Sequence, residues 1–224
     1  MLIYTEDFQK VILNEENYLT HGNCAKIYKE GEFVKKVYYD YCLEKNRLDK
    51  NVNEIIKKID SSYILKIHTL YYDYFKRHVM GYLATYYEPA NIDILEEDVT
   101  YTLENLHNIK LLFDKLASYS IKVDDVKTLN TILQKDKIIL LDPDLFEIVK
   151  CSEESCVKHN NQELIHLFKS IYKEALIKYL TEFKDKNPYF ILDDLFKVNS
   201  DNLEEEISKK LIKYKYPIEY FRTK

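Results

Sequence analysis

The stretch that decides the fold is residues 123–146, which read VDDVKTLNTILQKDKIILLDPDLF. It contains two short apolar runs, at 131–133 and 137–141, separated by the polar residues 134–136. Two apolar runs joined by a short polar turn are typical of an antiparallel β-hairpin. Pairing of these strands would bring the loop before the first strand beside the loop after the second.

Three polar side chains flank the predicted hairpin: Asp125, Asn130 and Asp142. Carboxylate and amide oxygens are the ligands that hard cations such as Mg²⁺ prefer. A carboxylate that is not used as a ligand can act as a general base. The hairpin therefore predicts a small site in which two side chains hold a cation and one accepts a proton.

Composition limits the classes of function. The chain has 224 residues, of which 46% are hydrophobic, and this is enough to bury a core in one domain or in two small lobes. Its 33 basic and 38 acidic residues give a net charge of -5 and are mixed along the chain, without the basic stripe of a nucleic-acid-binding protein. We therefore expect no nucleic-acid partner.

The N-terminus and the cysteines bear on the cellular compartment in which the protein is expected. The chain begins MLIYTEDFQK, with acids where a signal peptide has a basic start and an apolar run. No apolar stretch approaches the roughly 20 residues of a membrane span. The four cysteines match neither a zinc-site spacing nor a disulfide framework, and they are Cys24, Cys42, Cys151 and Cys156. We expect reduced thiols in a cytoplasmic protein without a membrane partner.

The order Asp125, four residues, Asn130, apolar strand, Asp142 resembles the catalytic and metal-binding loops of the protein-kinase-like fold. The family pattern is H-R-D-x-x-x-x-N followed by an apolar strand and D-F-G. The Asp-to-Asn spacing matches, whereas the His, Arg, Phe and Gly are replaced. The resemblance implies that Asp125 is the catalytic base and that Lys127 neutralises charge on the transferred phosphoryl group. It also implies that Mg²⁺ is bound by Asn130, Asp142 and Asp144.

An earlier segment resembles the phosphate-binding strands of that family. Residues 18–39 alternate apolar and polar positions around a central glycine turn, which is typical of a hairpin. Gly22 resembles one glycine of the loop that covers the nucleotide phosphates, and Lys36 resembles the strand lysine that binds the α- and β-phosphates. The alternative is Lys35, but that register would turn the bulky Phe33 toward the base.

Residues 41–59 show helical periodicity after the lysine strand. In the family this helix carries a glutamate that pairs with the strand lysine and holds it in place. Glu54 resembles that residue, and Glu44 is a competing candidate. Either glutamate could instead be a solvated charge on the helix surface.

Two strands, at 63–74 and 77–87, come next and lead into the Pro-containing linker 88–91. This order resembles the kinase hinge, where backbone groups bind the edge of adenine. By that resemblance the hinge residues are Thr85, Tyr86 and Tyr87.

The remaining periodicity is helical. A helix at 103–116 leads into the catalytic loop, and the short connection 146–161 contains no A-P-E element before the next helix, at 162–183. Further helical stretches lie around 190–198 and 203–213. Compared with the family, the activation segment is short, and this argues against its phosphorylation as a switch.

Together these features predict an α+β, bilobal, protein-kinase-like fold in one domain, 1–224. Its N-lobe, 1–87, is an antiparallel sheet with one helix, the hinge is 88–91, and the C-lobe, 92–224, is mainly helical. The resemblance is to small, divergent Ser/Thr kinase-like proteins of bacterial or viral type. It implies an enzyme with ATP and Mg²⁺ that phosphorylates a protein Ser or Thr hydroxyl.

Three alternatives stay open. The chain could phosphorylate a small molecule, since small-molecule kinases of this superfamily often have an acid where Asp144 stands. It could be a pseudokinase that binds nucleotide or protein partners as a scaffold. It could also be an α+β domain without this chemistry, in which the acids cap loops and Lys36 lies on the surface.

Overall fold

A computed structural model describes residues 2–177, 192–193, 195–198 and 202–212. Parts of three predicted helices, at 162–183, 190–198 and 203–213, lie outside the described residues. The described chain is α+β, and its main sheet is antiparallel, as predicted.

The main sheet has five strands in the order β1-β2-β3-β5-β4. The strands are β1 (Tyr18–His21), β2 (Ala25–Glu30), β3 (Phe33–Tyr38), β4 (Ile67–Tyr72) and β5 (Val79–Thr85). In this register Lys36 of β3 lies opposite Ile27 on one side and Tyr82 on the other. The hairpin of β2 and β3 turns at Gly31, whose φ of 61° suits a residue without Cβ.

Helix α1 (Lys50–Ile59) connects β3 to β4 and begins later than predicted. Asp49 caps it, because its side chain accepts hydrogen bonds from the backbone N–H groups of Asn51 and Val52. The helix ends at Asp60, which adopts a left-handed conformation with φ 50°. A 3-10 turn at Glu44–Asn46 occupies part of the segment that the helical periodicity had included.

Three further helices follow in the described part of the chain: α2 (Val99–Ser118), α3 (Glu153–Ile177) and α4 (Leu203–Ile212). Asp98 caps α2 by accepting a hydrogen bond from the Thr100 N–H. Helix α2 packs against both α3 and α4. None of the helices described here has the length and apolar character required to cross a membrane.

The hairpin predicted within 123–146 is confirmed. Strands β7 (Thr131–Leu133) and β8 (Ile138–Leu140) pair antiparallel, and the turn closes with a 2.8 Å hydrogen bond from the Gln134 N–H to the Lys137 carbonyl. A second small pair joins β6 (Ile121–Lys122) to β9 (Glu147–Ile148).

The hairpin is attached to the segment that leads into β4. The Leu65 N–H donates to the Leu140 carbonyl at 2.7 Å, and the Leu140 N–H donates to the Tyr63 carbonyl at 3.0 Å. Ile64, Leu65 and Leu140 are buried in one hydrophobic core that extends from the sheet to α2 and α3. These contacts place the loop after β8 beneath the sheet that carries Lys36.

Candidate active site

A cavity of about 810 Å³ lies between the sheet and the hairpin. Its walls include ten of the eleven residues that the sequence nominates for the site, namely Gly22, Lys36, Thr85, Tyr86, Tyr87, Asp125, Lys127, Asn130, Asp142 and Asp144. Apolar walls complete it, formed by Leu19, Ile27, Val34, Leu65, Ile132 and Leu141. A concave, largely apolar space with a few convergent polar groups is the usual form of a small-molecule site.

Lys36 is held between two carboxylates. Its Nζ lies 2.8 Å from Asp142 Oδ1 and 2.8 Å from Asp144 Oδ2. Lys35, its neighbour on β3, turns away and donates to the Ile12 carbonyl at 3.2 Å. Because adjacent strand residues face opposite sides, the register directs Lys36 and not Lys35 into the cavity.

Burial and neighbouring charge shift the pKa of the Lys36 amine in opposite directions. Burial acts to lower the pKa of the Lys36 amine. Its acidic neighbours, Tyr82 and the carboxylates of Asp144 and Asp142, outweigh that effect and raise the pKa well above its ordinary value. Lys36 is therefore a fixed positive charge inside the cavity.

Asp144 is more buried than the other acids of the site, with 7% of its side chain exposed. Burial raises the pKa of this carboxyl to about 7, although Lys36 partly opposes the shift. Its Oδ2 binds Lys36, whereas Oδ1 is buried and forms no hydrogen bond of standard geometry within the described residues, although the Tyr38 hydroxyl interacts with this carboxyl. A buried oxygen without a well-formed hydrogen bond is costly, so this atom is well suited to a ligand.

The loop before β7 is organised by hydrogen bonds between its own residues. The Asn130 Nδ2 donates to the Asp125 carbonyl at 2.8 Å and to Asp125 Oδ2 at 3.0 Å. Lys127 forms an ion pair with Asp125 Oδ1. Both bonds from Asn130 use the amide nitrogen, so its amide oxygen remains able to bind a cation.

Asp125 itself has an unusual backbone conformation. Its φ is 57°, in the left-handed region that residues with a Cβ rarely adopt. Strain of this kind persists where surrounding contacts enforce it, and it often accompanies function. The conformation directs the Asp125 side chain to Asn130 and Lys127 at the cavity wall.

Helix α3 positions this loop, a role that the sequence pattern did not identify. Asn160 is fully buried, accepts from the Val123 N–H at 3.0 Å, and donates to the carbonyls of Phe113 and Ile121. Ser170 Oγ accepts from the Thr128 N–H at 3.0 Å. The sequence signal that could have identified this role is the pair Asn160-Asn161, two polar residues directly before the helical stretch QELIHLF.

The predicted hinge, which lines the cavity, contains one backbone donor without a partner among the described residues. The N–H groups of Thr85 and Tyr86 are bonded to the carbonyls of Lys66 and Glu32. The described residues supply no acceptor for the Tyr87 N–H. This donor is therefore available to a ligand that presents a hydrogen-bond acceptor.

The structure does not bring Glu54 to Lys36. Glu54 lies beside Lys57 at 3.7 Å on the exposed side of α1, and Glu44 pairs with His78. The reason is the phase of the helix, because α1 buries Val52, Asn53 and Ile56 and so turns position 54 outward. The carboxylates of the loop after β8 take the place predicted for Glu54.

Gly81 is a site-supporting residue that the sequence analysis missed. It lies on β5 opposite Val37 and has a φ of 152°. A Cβ at this position would be 2.1 Å from the Lys36 carbonyl oxygen. Only glycine allows β5 to approach the backbone of Lys36 so closely.

The donor set is compatible with Mg²⁺. Asn130, Asp142 and Asp144 line the cavity and offer amide and carboxylate oxygens. Within the described ranges no group of three or more His, Cys, Asp or Glu side chains has metal-binding geometry. Mg²⁺ usually takes one or two carboxylates and completes its shell with water and phosphate oxygens.

No protein-family model matches the chain, and a comparison with curated proteins finds none with significant sequence similarity.

Proposed function

We propose that the chain is an ATP-dependent phosphotransferase with a bilobal, protein-kinase-like fold, and that its acceptor is a protein Ser or Thr hydroxyl. One observation carries the proposal: Lys36, Asp125, Asn130, Asp142 and Asp144 line one cavity. Lys36 is about 90 residues before the other four in the sequence, and all five were nominated by the resemblance to the protein-kinase-like family.

The order of structural parts supports the same proposal. A loop with Gly22 lies between the first two strands, Lys36 follows on β3, and α1 comes before β4. The segment after β5 and the hairpin β7–β8 then contribute the remaining walls. This is the order that the kinase resemblance implies for an N-lobe, 1–87, a hinge, 88–91, and a C-lobe, 92–224.

Each residue of the cavity would have its own role in binding ATP, Mg²⁺ or the acceptor. The phosphates would be bound by Lys36 and covered by the loop of Gly22, while the free Tyr87 N–H would bind the base. Mg²⁺, held by Asn130, Asp142 and Asp144, would neutralise charge on the phosphates. Asp125 would orient the acceptor hydroxyl and take its proton.

Lys127 would act on the phosphoryl group that is transferred. In the structure it forms an ion pair with Asp125. An acceptor hydroxyl that bonds to Asp125 would compete with Lys127 for that carboxylate. Released from this pair, the Lys127 ammonium would stabilise negative charge that develops on the phosphoryl oxygens.

A small-molecule acceptor is the second candidate. The observation that favours it is the carboxylate of Asp144, buried beside Lys36. Small-molecule kinases of this superfamily often carry an acid at this position. Transfer to peptides containing Ser or Thr, compared with transfer to small alcohols, separates the two acceptor classes.

The experiment that tests the proposal follows ADP formation from ATP and Mg²⁺, in the presence of peptides containing Ser or Thr and of small alcohols as acceptors, with the wild type and Asp125→Asn. We expect turnover in the wild type and a loss of about 100-fold in the variant, with ATP affinity retained. Asp124→Asn is the matched control and should keep its turnover. Binding of ATP by a wild type that forms no ADP would instead identify a pseudokinase scaffold.

A further inference from the structure

Cys151 and Cys156 form a close pair of thiols at the start of α3. Their sulfur atoms are 2.8 Å apart, and both cysteines are free. The S–S bond of a disulfide is about 2.05 Å long. Bond formation would therefore bring the two sulfur atoms only about 0.8 Å closer together.

The start of the helix accounts for this pairing. Ser152 caps α3, since its Oγ accepts from the Ser155 N–H at 3.2 Å and its carbonyl accepts from the Cys156 N–H at 3.1 Å. Cys151 is the residue before the cap, and Cys156 is the fourth residue of the helix. Side chains at these two positions pack against each other where helices begin, so the local fold holds the thiols together.

The two thiols differ in access to solvent. Cys156 is fully buried, whereas Cys151 is partly exposed. Burial, with a smaller contribution from its hydrogen bond to Cys151, raises the pKa of the Cys156 thiol to about 11. Because the thiolate is the nucleophile, the accessible Cys151 is the cysteine that a dissolved oxidant meets first.

We propose that Cys151 and Cys156 are a redox modification site at which a hydroperoxide drives formation of a reversible disulfide. The Cys151 thiolate attacks one peroxide oxygen, the O–O bond breaks, and Cys151 becomes a sulfenic acid while the other oxygen leaves as water or alcohol. The Cys156 sulfur then attacks the sulfenic sulfur, and the S–O bond breaks. The hydroxyl group leaves with the Cys156 proton as water, so two thiols are oxidised and one peroxide is reduced.

The modified segment is connected to the loop of the candidate site. The Val149 N–H donates to the Ser120 carbonyl at 2.9 Å, and β9 pairs with β6 directly before Val123. One turn beyond Cys156, Asn160 binds Val123. A disulfide would tie the connection after β9 to the first turn of α3. The chemistry itself needs only the two thiols and does not depend on the proposed function.

Peptide mapping tests the proposal directly. The folded protein is treated with hydrogen peroxide, alkylated and digested with trypsin without reduction. Cleavage after Lys150 and Lys158 leaves both thiols in one peptide, 151–158, whereas Cys24 and Cys42 fall in two other peptides. We expect peptide 151–158 to lose two hydrogen atoms, to escape alkylation and to recover with dithiothreitol.

Cysteine variants test which of the two thiols reacts first. The double variant Cys24→Ser, Cys42→Ser is the control and should give the same product, since it leaves the helix start unchanged. Cys151→Ser, at the partly exposed position, should leave Cys156 reduced under the same treatment. Cys156→Ser should stop the reaction at a Cys151 sulfenic acid that dimedone traps.

Several outcomes would overturn the proposal. Alkylation of both thiols in peptide 151–158 after treatment would do so, as would a disulfide that links two chains. Oxidation of Cys156 in Cys151→Ser at the wild-type rate would show that the assigned order is wrong. The wild type and Cys151→Ser test the proposal even if Cys156→Ser, at the buried position, does not fold.

Discussion

Lys36 is the residue at which the site's electrostatics are concentrated. Its ammonium, with 12% of the side chain exposed, lies between Asp142 and Asp144. A buried ion pair of this kind contributes little net stability, because desolvation offsets most of the Coulombic attraction. Under the proposed function, a phosphate group would replace the carboxylates as partner of the amine.

Replacement of Lys36 should affect turnover much more than replacement of its neighbour Lys35. We expect Lys36→Met to reduce ATP turnover about 100-fold, because a positive charge aimed at the phosphates is lost. Lys35→Met is the matched control and should stay near the wild type, since Lys35 is paired with Glu30 and the Ile12 carbonyl. Initial rates of ADP formation measure both variants. Equal losses in the two would contradict the strand register on which the site is built.

Asp144 should make stability depend on pH. Burial raises the pKa of this carboxyl to about 7 in the folded chain, whereas an unfolded aspartate has a pKa of about 3.9. Between these values the folded state holds a proton that the unfolded state has lost. The free energy of unfolding should therefore fall as pH rises from about 4 to about 7 and change no further above that.

Urea unfolding in EDTA measures this dependence, with Asp144→Asn as the comparison. Subtracting the variant's pH profile from that of the wild type removes the contribution of other titrating groups. We expect the wild type to lose more stability than the variant between pH values of about 4 and 7. Parallel profiles would mean that the Asp144 carboxyl titrates normally in the fold.

At the scale of elements, the close approach of β3 and β5 depends on Gly81. An alanine there would place Cβ 2.1 Å from the Lys36 carbonyl at a φ of 152°. We expect Gly81→Ala to lower the free energy of unfolding by about 3 kcal/mol through overpacking and backbone strain. The two strands can relieve the clash only by separating, which would also displace Lys36.

Gly22→Ala is the control for this prediction, since an added Cβ would meet no atom within 4 Å. We expect it to change stability by less than about 0.5 kcal/mol. Chemical denaturation measures both variants. Similar destabilisation of the two would show that loss of glycine, and not the contact with Lys36, is responsible.

Local patterns made some of these elements predictable. Strands β2 and β3 and the hairpin β7–β8 follow from alternating or continuous apolar runs around short turns, which act over a few residues. Asp125 and Asn130 are also close in sequence, so their contact could be predicted from the sequence. The same reasoning selected Lys36 over Lys35 from the side chains that share a strand face.

Other features depend on capping and packing, and the sequence pattern did not reveal them. Helix α3 begins at Glu153, nine residues before the predicted start, because Ser152 caps it. The partner of Lys36 was misassigned, since the buried face of α1 turns Glu54 to solvent. Gly81 supports the site only through contact between two strands that are distant in sequence.

At the scale of the whole molecule, the cavity exists because separate elements meet. The sheet supplies Lys36, and the hairpin attached through Leu65 and Leu140 supplies the acids. Helix α3 holds the start of the loop through Asn160. No one of these elements contains the site, which is why a ligand that bridges them should stabilise the entire fold.

The most direct test of this account is a thermal shift with ATP, with and without Mg²⁺, on the wild type and Asp142→Asn. A ligand that binds only the folded state at 100 times its Kd adds about 2.7 kcal/mol of stability. We predict a higher midpoint for the wild type with ATP and Mg²⁺ together, and loss of that increment in the variant. An unchanged wild-type midpoint under every condition, or an equal shift in Asp142→Asn, would contradict the nucleotide site.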